Sequence, residues 1–434
     1  AAEGPARKRV RAKSPGAASP GPVAAEAAAS ASRCPAAAAT AGGASELGGD
    51  DGGSSVPARA SGDETGEARK RPSAAAGVAP LVSAGALREL CLQRSPFDGA
   101  SLAEPCVAIA VCTRGCPAHR LREWLFWHLA EGVRLVFMRW EGPLDAEQRL
   151  ALRGPQDSGH LVLRSLPRCK HSSGFQAVMS RQLKFTEEAI GMARVRGCDF
   201  LLHLDDDEIL CPRGPASRIP DVFRRHVGTT TKCVHFENLE AVFPFSTCTC
   251  RPFSRRAVAF RKPKDAKLYI NGKSAANLTS PGDVFCSGVH HFCMHDRSYA
   301  VPSPEFGLHD DSSGCTHPAC CVQEDAAVVL HFDSPSFQEW QGKFRARASA
   351  NLTQEDQEEL DIFPFKQDSI NVLRKPGASE DEQAAVYRRY RCLPFWAGET
   401  MDPFTTGATV VERFMQQLAR RGPRDVAPLG GEKK

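Results

Sequence analysis

The chain has 434 residues, 42% of them hydrophobic and 7% aromatic, and its 55 Lys+Arg against 51 Asp+Glu give a formal net charge of +4. So small an excess argues against a polyanion-binding surface, and no nucleic acid partner is expected. No run approaches the roughly 18 apolar residues that span a bilayer, so membrane association is expected only through a segment not present in this chain.

Residues 1–80 hold 25 Ala, 12 Gly, 9 Ser and 8 Pro, and no aromatic precedes Phe97. Without large apolar side chains such a stretch does not offset an ordering entropy of roughly 1–2 kcal/mol per residue, so a disordered tail is expected. Its basic run from Arg7 to Lys13 reads as a solvated patch or an address. Residues 81–104 read as a linker, 105–345 as one α/β domain, and 346–434 as a helical extension with a frayed end.

In chain order, 106–112 is a continuous apolar run that suits a strand buried on both faces of a parallel sheet. A helix over 118–131 places Leu121, Leu125 and Leu129 on one side, with Gly132 as its stop. A strand at 133–138, a short helix at 144–152 and a third strand at 161–166 follow. The next helix carries Met179, Leu183, Thr186, Ile190 and Ala193 at steps of four and three, ending at Gly197. The fourth strand, 200–204, runs directly into Asp205-Asp206-Asp207-Glu208. This alternation predicts an α/β fold, a doubly wound sheet with helices on both faces, whose ligands bind beyond the carboxyl ends of the strands. A mixed continuation is expected over 230–335, with helices at 354–359 and 380–390.

Four adjacent carboxylates repel one another and call for a compensating cation. In extended backbone Asp205 and Asp207 point one way and Asp206 the other. Two hard oxygens on one side suit Mn²⁺ or Mg²⁺ shared with a diphosphate, which implies departure of a nucleotide diphosphate. The plain alternative is an acidic, solvated turn.

Four patches, in order, resemble one enzyme group. Residues 122–133, Arg-Glu-Trp-Leu-Phe-Trp-His-Leu-Ala-Glu-Gly-Val, resemble the "E-W-L-x-x-H-x-x-x-G-V" helix of family-2-like and family-92-like glycosyltransferases with the GT-A fold. Gln182 and the segment 199–208 are similar to that group's "Q" and "D-x-D-E" segment. Gly272-Lys273-Ser274 and Gly288-Val289-His290-His291 are similar to its "K-S" and "G-V-H" elements, and 330–344 to its closing "H…S…E…K" stretch. The resemblance covers about 105–345, which would then be the catalytic domain. It implies a GT-A-like, Rossmann-like fold. The implied reaction is metal-dependent and inverting, moving a sugar from a nucleotide-sugar donor, UDP-linked, to a hydroxyl of a glycan or glycoconjugate acceptor.

The resemblance also implies roles. Asp205 would lie near the ribose or the metal, Asp207 would be a direct metal ligand, and His331 or His290 would complete the metal or diphosphate site. Lys273 and Lys343 would pair with phosphate oxygens. Thr113 and Arg114 stand where the nucleotide base and ribose are held, although the family has an acidic or Asn-Glu pair there. Inversion needs a carboxylate to deprotonate the acceptor, for which Glu237 and Asp283 are the candidates. A Golgi or secretory location fits this reading, with a cytoplasmic one as the alternative.

Other readings compete. A haloacid-dehalogenase-type phosphohydrolase would use Asp205 as nucleophile, but position 209 is Ile and no Thr follows. A non-catalytic interaction protein would act through its basic tail. His128, Trp124 and Trp127 read as packing residues rather than ligands or a sugar platform. The Cys/His-rich stretch 286–321 suits zinc, disulfides or free thiols, and Asn277 and Asn351 begin glycosylation sequons.

Overall fold

Strand β1 (Val107–Thr113) is buried along almost its whole length, as a Val/Ala/Ile run without polar alternation demands. It pairs in parallel with β2 (Leu135–Glu141) on one side and β4 (Phe200–His203) on the other, and β3 (Leu161–Leu166) follows β2, also in parallel. Beyond β4 the direction reverses. Strand β9 (Lys273–Asn277) runs antiparallel to both β4 and β6 (Cys233–Phe236), and the short β12 (Cys321–Gln323) lies parallel to β6. The resulting seven-stranded order is β12-β6-β9-β4-β1-β2-β3. In this computed structural model the described residues are 82–93, 104–166, 175–214, 216–243, 259–262, 271–280, 284–288, 290–294, 321–349, 363–392 and 401–419. The expected tail at 1–80, the helix at 354–359, the sequon at Asn351 and the candidate base Asp283 lie outside them.

Helices cover both faces of this sheet. On one, α2 (Ala118–Ala130) and α3 (Ala146–Asp157) pack with Val107, Ile109 and Val111; on the other, Phe185, Ala189 and Ala193 of α4 (Phe175–Val195) meet Ala108, Ala110 and Phe137. The α/β expectation therefore holds. The expected linker at 81–104 is different: α1 (Ala84–Leu92) is capped by Ser83 and buries Leu87, Leu90 and Cys91 in the same core. Its three buried apolar residues, spaced three and one apart, were too few to signal a helix.

A second, five-stranded mixed sheet contains β5 (Glu208–Pro212), β7 (Asn238–Val242), β8 (Ala259–Arg261), β13 (Ala327–His331) and β14 (Met401–Thr406), in the order β14-β8-β7-β13-β5. Because β4 ends at His203 and β5 begins at Glu208, the acidic run is the corner at which the chain leaves one sheet and enters the other. A hairpin of β10 (Val284–Gly288) and β11 (His291–Met294) packs beside α4.

The C-terminal region is not an appendage to this fold. Strand β14 pairs with β8, and Arg413 of α9 (Gly407–Ala419) bonds Glu131 at 2.5 and 2.7 Å. Helices α6 (Phe337–Ala348), α7 (Pro364–Arg374) and α8 (Glu380–Arg391) share a satellite core of Phe337, Trp340, Phe344, Phe365 and Tyr387.

Helix α2 fixes the corner from below. The indole N–H of Trp124 donates to the Glu208 carbonyl at 2.7 Å, and that of Trp127 to the Leu210 carbonyl at 3.0 Å. His128 donates from Nδ1 to the Trp124 carbonyl at 2.9 Å and accepts the Leu210 N–H on Nε2 at 3.4 Å. Burial pulls its pKa down to about 3, so it is a neutral core residue. Asn277 is equally internal: its amide donates to the carbonyls of His226 and Thr231, both at 2.8 Å, so the folded chain offers no glycosylation site there.

Gly272, just ahead of β9, has φ +61°, and a Cβ there would collide with the Phe236 carbonyl and the His235 ring. Gly272→Ala is expected to lower stability by about 2–4 kcal/mol, through overpacking and the left-handed backbone together. Urea denaturation with an unchanged midpoint would contradict this.

Candidate functional site: an acidic corner held by internal cations

Asp205 opens the corner and is held from two sides. Gln182 of α4 donates to its Oδ1 at 2.8 Å, and Lys273, the first residue of β9, donates to its Oδ2 at 2.8 Å. Lys273 is completely buried and also lies 3.3 Å from Glu208, which in turn accepts the Asp205 N–H at 2.8 Å. Burial opposes the Lys273 charge, yet Asp205 and Glu208 outweigh it and keep the ammonium ionised. Burial would likewise raise Asp205, but Lys273 brings its carboxyl below the ordinary value. Glu208 goes the other way: burial, aided by Asp205 and Asp207, outweighs Lys273 and pushes it up to about 7.

Asp207 belongs to a closed ring of alternating charge. His331, at the end of β13, brings Nε2 to 3.7 Å from Asp207 and donates from Nδ1 to Glu240 of β7 at 2.7 Å. Glu240 accepts from Arg391, the last residue of α8, at 2.9 Å; Arg391 also pairs with Asp333; Asp333 accepts from Lys343 of α6 at 2.6 Å; and Lys343 lies 3.6 Å from Asp207. Burial would raise Asp207 and Asp333, but Lys343 and His331 hold the first, and Arg391 and Lys343 the second, below the usual carboxylate range. Burial alone would lower His331, and Glu240 with Asp207 raises it well above its ordinary value instead. The Phe332 N–H donates to the Asp207 carbonyl at 2.8 Å, which pins the end of β13 to the corner.

Asp206 points to the remaining side, toward β1. It accepts from the Thr113 hydroxyl, and Arg120 of α2, paired with Glu339 at 2.5 Å, adds a nearby positive charge. Burial and the neighbouring Asp207 nevertheless lift its pKa to about 6.

The corner thus unites Asp205, Asp207, His331, Lys273, Lys343 and Thr113 of the residues singled out from sequence. Arg114 is exposed at the carboxyl end of β1 beside Gly115. His290 donates to the Gly272 carbonyl at 3.0 Å, one residue before Lys273. Glu237 is half exposed and pairs with Lys262 at 2.9 Å. Lys273 differs from the expected phosphate contact, because its ammonium is enclosed by Asp205 and Glu208. Glu240, Asp333, Arg391 and Arg120 were not foreseen. Lone charges in ordinary strands and helices carry no local signal, and only the topology gathers them.

Whether this corner suits a divalent cation depends on its donors. Asp205 is committed to Lys273 and Gln182, so it is not placed as a free ligand. Among the described residues no group of three or more potential ligands converges. Asp207 and His331 Nε2 do form a two-donor set, and the His331 Nδ1–H bond to Glu240 is the outer contact that orients a metal-binding imidazole. With His331 neutral, as a metal-bound imidazole must be, the named carboxylates, Asp205, Asp206, Asp207, Glu208, Glu240, Asp333 and Glu339, outnumber the cations Arg120, Lys273, Lys343 and Arg391 by three when the rest are ionised. Two protein donors and a residual negative charge fit a hard cation whose other positions are filled by phosphate oxygens and water.

No protein-family model and no curated protein sequence matches the chain.

Two outcomes follow from these charges. Arg391→Met would leave the buried Glu240 and Asp333 with only His331 and Lys343 as partners and is expected to cost about 3–5 kcal/mol of unfolding free energy, measured by urea denaturation. A loss below 1 kcal/mol would mean that the ring is not a stabilising unit. Glu208 holds its proton more tightly folded than unfolded, so the stability of its neutral form is present below its ordinary 4.5 and lost as pH rises through about 7. Glu208→Gln is therefore expected to gain Tm relative to the parent as pH climbs across that window; a pH-independent difference would refute the assignment.

Proposed function

We propose that the chain is a glycosyltransferase of GT-A-like architecture that moves a sugar from a nucleotide-diphosphate sugar, UDP-linked, to a hydroxyl of a glycan or glycoconjugate. The supporting observation is the corner itself. Three consecutive aspartates stand at the carboxyl end of a central parallel strand, where ligands of such sheets bind, and His331 and Lys343 face the third of them. The sequence resemblance over 105–345 points to the same chemistry.

In this reading Asp207 and His331 hold Mn²⁺ or Mg²⁺, which when bound neutralises charge developing on the departing diphosphate. Lys343 keeps a second positive charge beside that position, anchored by Asp333. Arg391 and Glu240 fix the His331 ring, and Lys273 holds Asp205 ionised at the start of the corner. Thr113 orients Asp206 at the end of β1, on the nucleoside side. The bond from the sugar C1 to the diphosphate oxygen breaks as the acceptor oxygen bonds to C1, and the acceptor proton passes to a carboxylate. Glu237, paired with Lys262 at the surface, and Asp283 are the two candidates for that base.

The test is release of nucleoside diphosphate from a panel of UDP-hexoses with Mn²⁺. Asp207→Asn and His331→Ala are each expected to reduce turnover at least 100-fold, on the scale of losing charge stabilisation at a leaving group, while circular dichroism reports a retained fold. UDP with Mn²⁺ should raise the Tm of the parent. Full turnover by Asp207→Asn, or neither turnover nor a Tm response across the panel, would reject the reading.

A further inference from the structure

Four cysteines form two close pairs on one face of the seven-stranded sheet, away from the acidic corner. Cys106 immediately precedes β1, and Cys198 lies two residues before its parallel neighbour β4. The Cys106 N–H donates to Asp199 Oδ2 at 2.7 Å and its carbonyl accepts the Asp199 N–H at 2.8 Å, which draws the two chain segments together. The thiols of Cys106 and Cys198 are close enough to shift each other's titration. Cys233 opens β6 and Cys321 opens β12; they stand directly opposite in parallel register, and the Cys321 thiol lowers the Cys233 pKa. All four side chains pack in or against the same apolar cluster, with Phe185 and Ala189 of α4 and Phe292 of the hairpin.

Their position in the sheet is shared. β4 and β6 both run antiparallel to β9, so β1, β4, β6 and β12 all point the same way. Both pairs therefore sit at the amino ends of parallel strands, and the aspartates at the carboxyl end. Each pair also joins one partly exposed thiol, Cys106 or Cys321, to one buried thiol, Cys198 or Cys233. An unbonded, well-packed thiol is otherwise a small hydrophobe, and two such matched pairs on one sheet edge ask for more than packing.

We propose that Cys106–Cys198 and Cys233–Cys321 are redox pairs that close to disulfides by exchange with a small-molecule disulfide such as oxidised glutathione, stapling the amino edge of the sheet. The accessible thiolate attacks one sulfur of the oxidant, forming a mixed disulfide and expelling one small thiolate. The buried partner then attacks the protein sulfur of that mixed disulfide and expels the second. Two protein thiols are oxidised, one small disulfide is reduced to two thiols, and those thiols take up the two protons. The Cys198 thiol lowers the Cys106 pKa against burial, with Arg134 assisting, which favours the accessible thiolate in that pair; in the other pair it is the buried Cys233 whose pKa is lowered, by Cys321. Each staple closes a loop of about 90 residues, long enough for a marked effect on the unfolded chain.

The experiment uses the full chain, equilibrated in glutathione buffers from reduced to oxidised, acid-quenched, alkylated and digested without reduction. Peptides linked through Cys106–Cys198 and Cys233–Cys321 are expected to grow with the oxidised fraction, with a Tm rise of several degrees that dithiothreitol reverses. Cys198→Ser should lose the first linked peptide, keep the second, and show a smaller Tm rise; the peptide map of the parent decides the matter if this variant does not fold. Alkylation of all four thiols at full oxidation, glutathionylation without cross-linking, or Cys321 joined to a cysteine other than Cys233 would overturn the proposal. One pair closing alone would overturn it for the other.

Discussion

Carboxylates removed from water must meet positive charge or give up their own, and in this protein that constraint organises the meeting of two sheets. The chain places four acids in succession where β4 becomes β5, then returns from three distant segments to balance them, Lys273 from β9, His331 from β13 and Lys343 from α6, while Arg391 from α8 balances Glu240 and Asp333 behind them. Each cation has two acidic partners, as His331 and Arg391 illustrate, so the balance is a network rather than a set of pairs. Such a network tolerates small movements of the corner, whereas the loss of a member costs stability, because a missing charge leaves its neighbours buried with less compensation.

Much of the first sheet was legible in the sequence. β1, β2 and β4 are continuous apolar runs, α2 and α4 carry regular apolar spacing, and the acidic corner followed directly from the end of β4. The need for a cation was also legible, but not its source. Solvation arguments demand positive charge near Asp205 and Asp207 without saying whether a metal or a side chain supplies it, and Lys273 answers for Asp205. Arg391 illustrates why the rest was hidden. It ends an ordinary amphipathic helix among Arg388 and Arg389, and nothing local separates the buried guanidinium from its exposed neighbours. β5 was obscured for a similar reason, since Glu208-Ile209-Leu210-Cys211-Pro212 reads as the tail of the acidic turn rather than as a strand of another sheet.

The Trp124, Trp127 and His128 cluster shows how a recognisable motif can serve function through structure. None of the three faces the corner as a ligand. Their ring nitrogens instead engage the backbone of Glu208 and Leu210, groups at one edge of β5 that would otherwise be buried without partners. The spacing of the motif is thus a helical read-out of strand geometry. About one turn of α2 meets alternate residues of β5, and the side chain of Glu208 is presented to Lys273 as a result.

The ring through Asp207, His331, Glu240, Arg391, Asp333 and Lys343 also sets an order of events during synthesis. Its acidic members at 207, 240 and 333 leave the ribosome before the guanidinium at 391 does. Until that residue emerges, the nascent corner carries Glu240 and Asp333 without the guanidinium they share. Closure of the ring is in this sense gated by a residue that emerges long after the corner it completes.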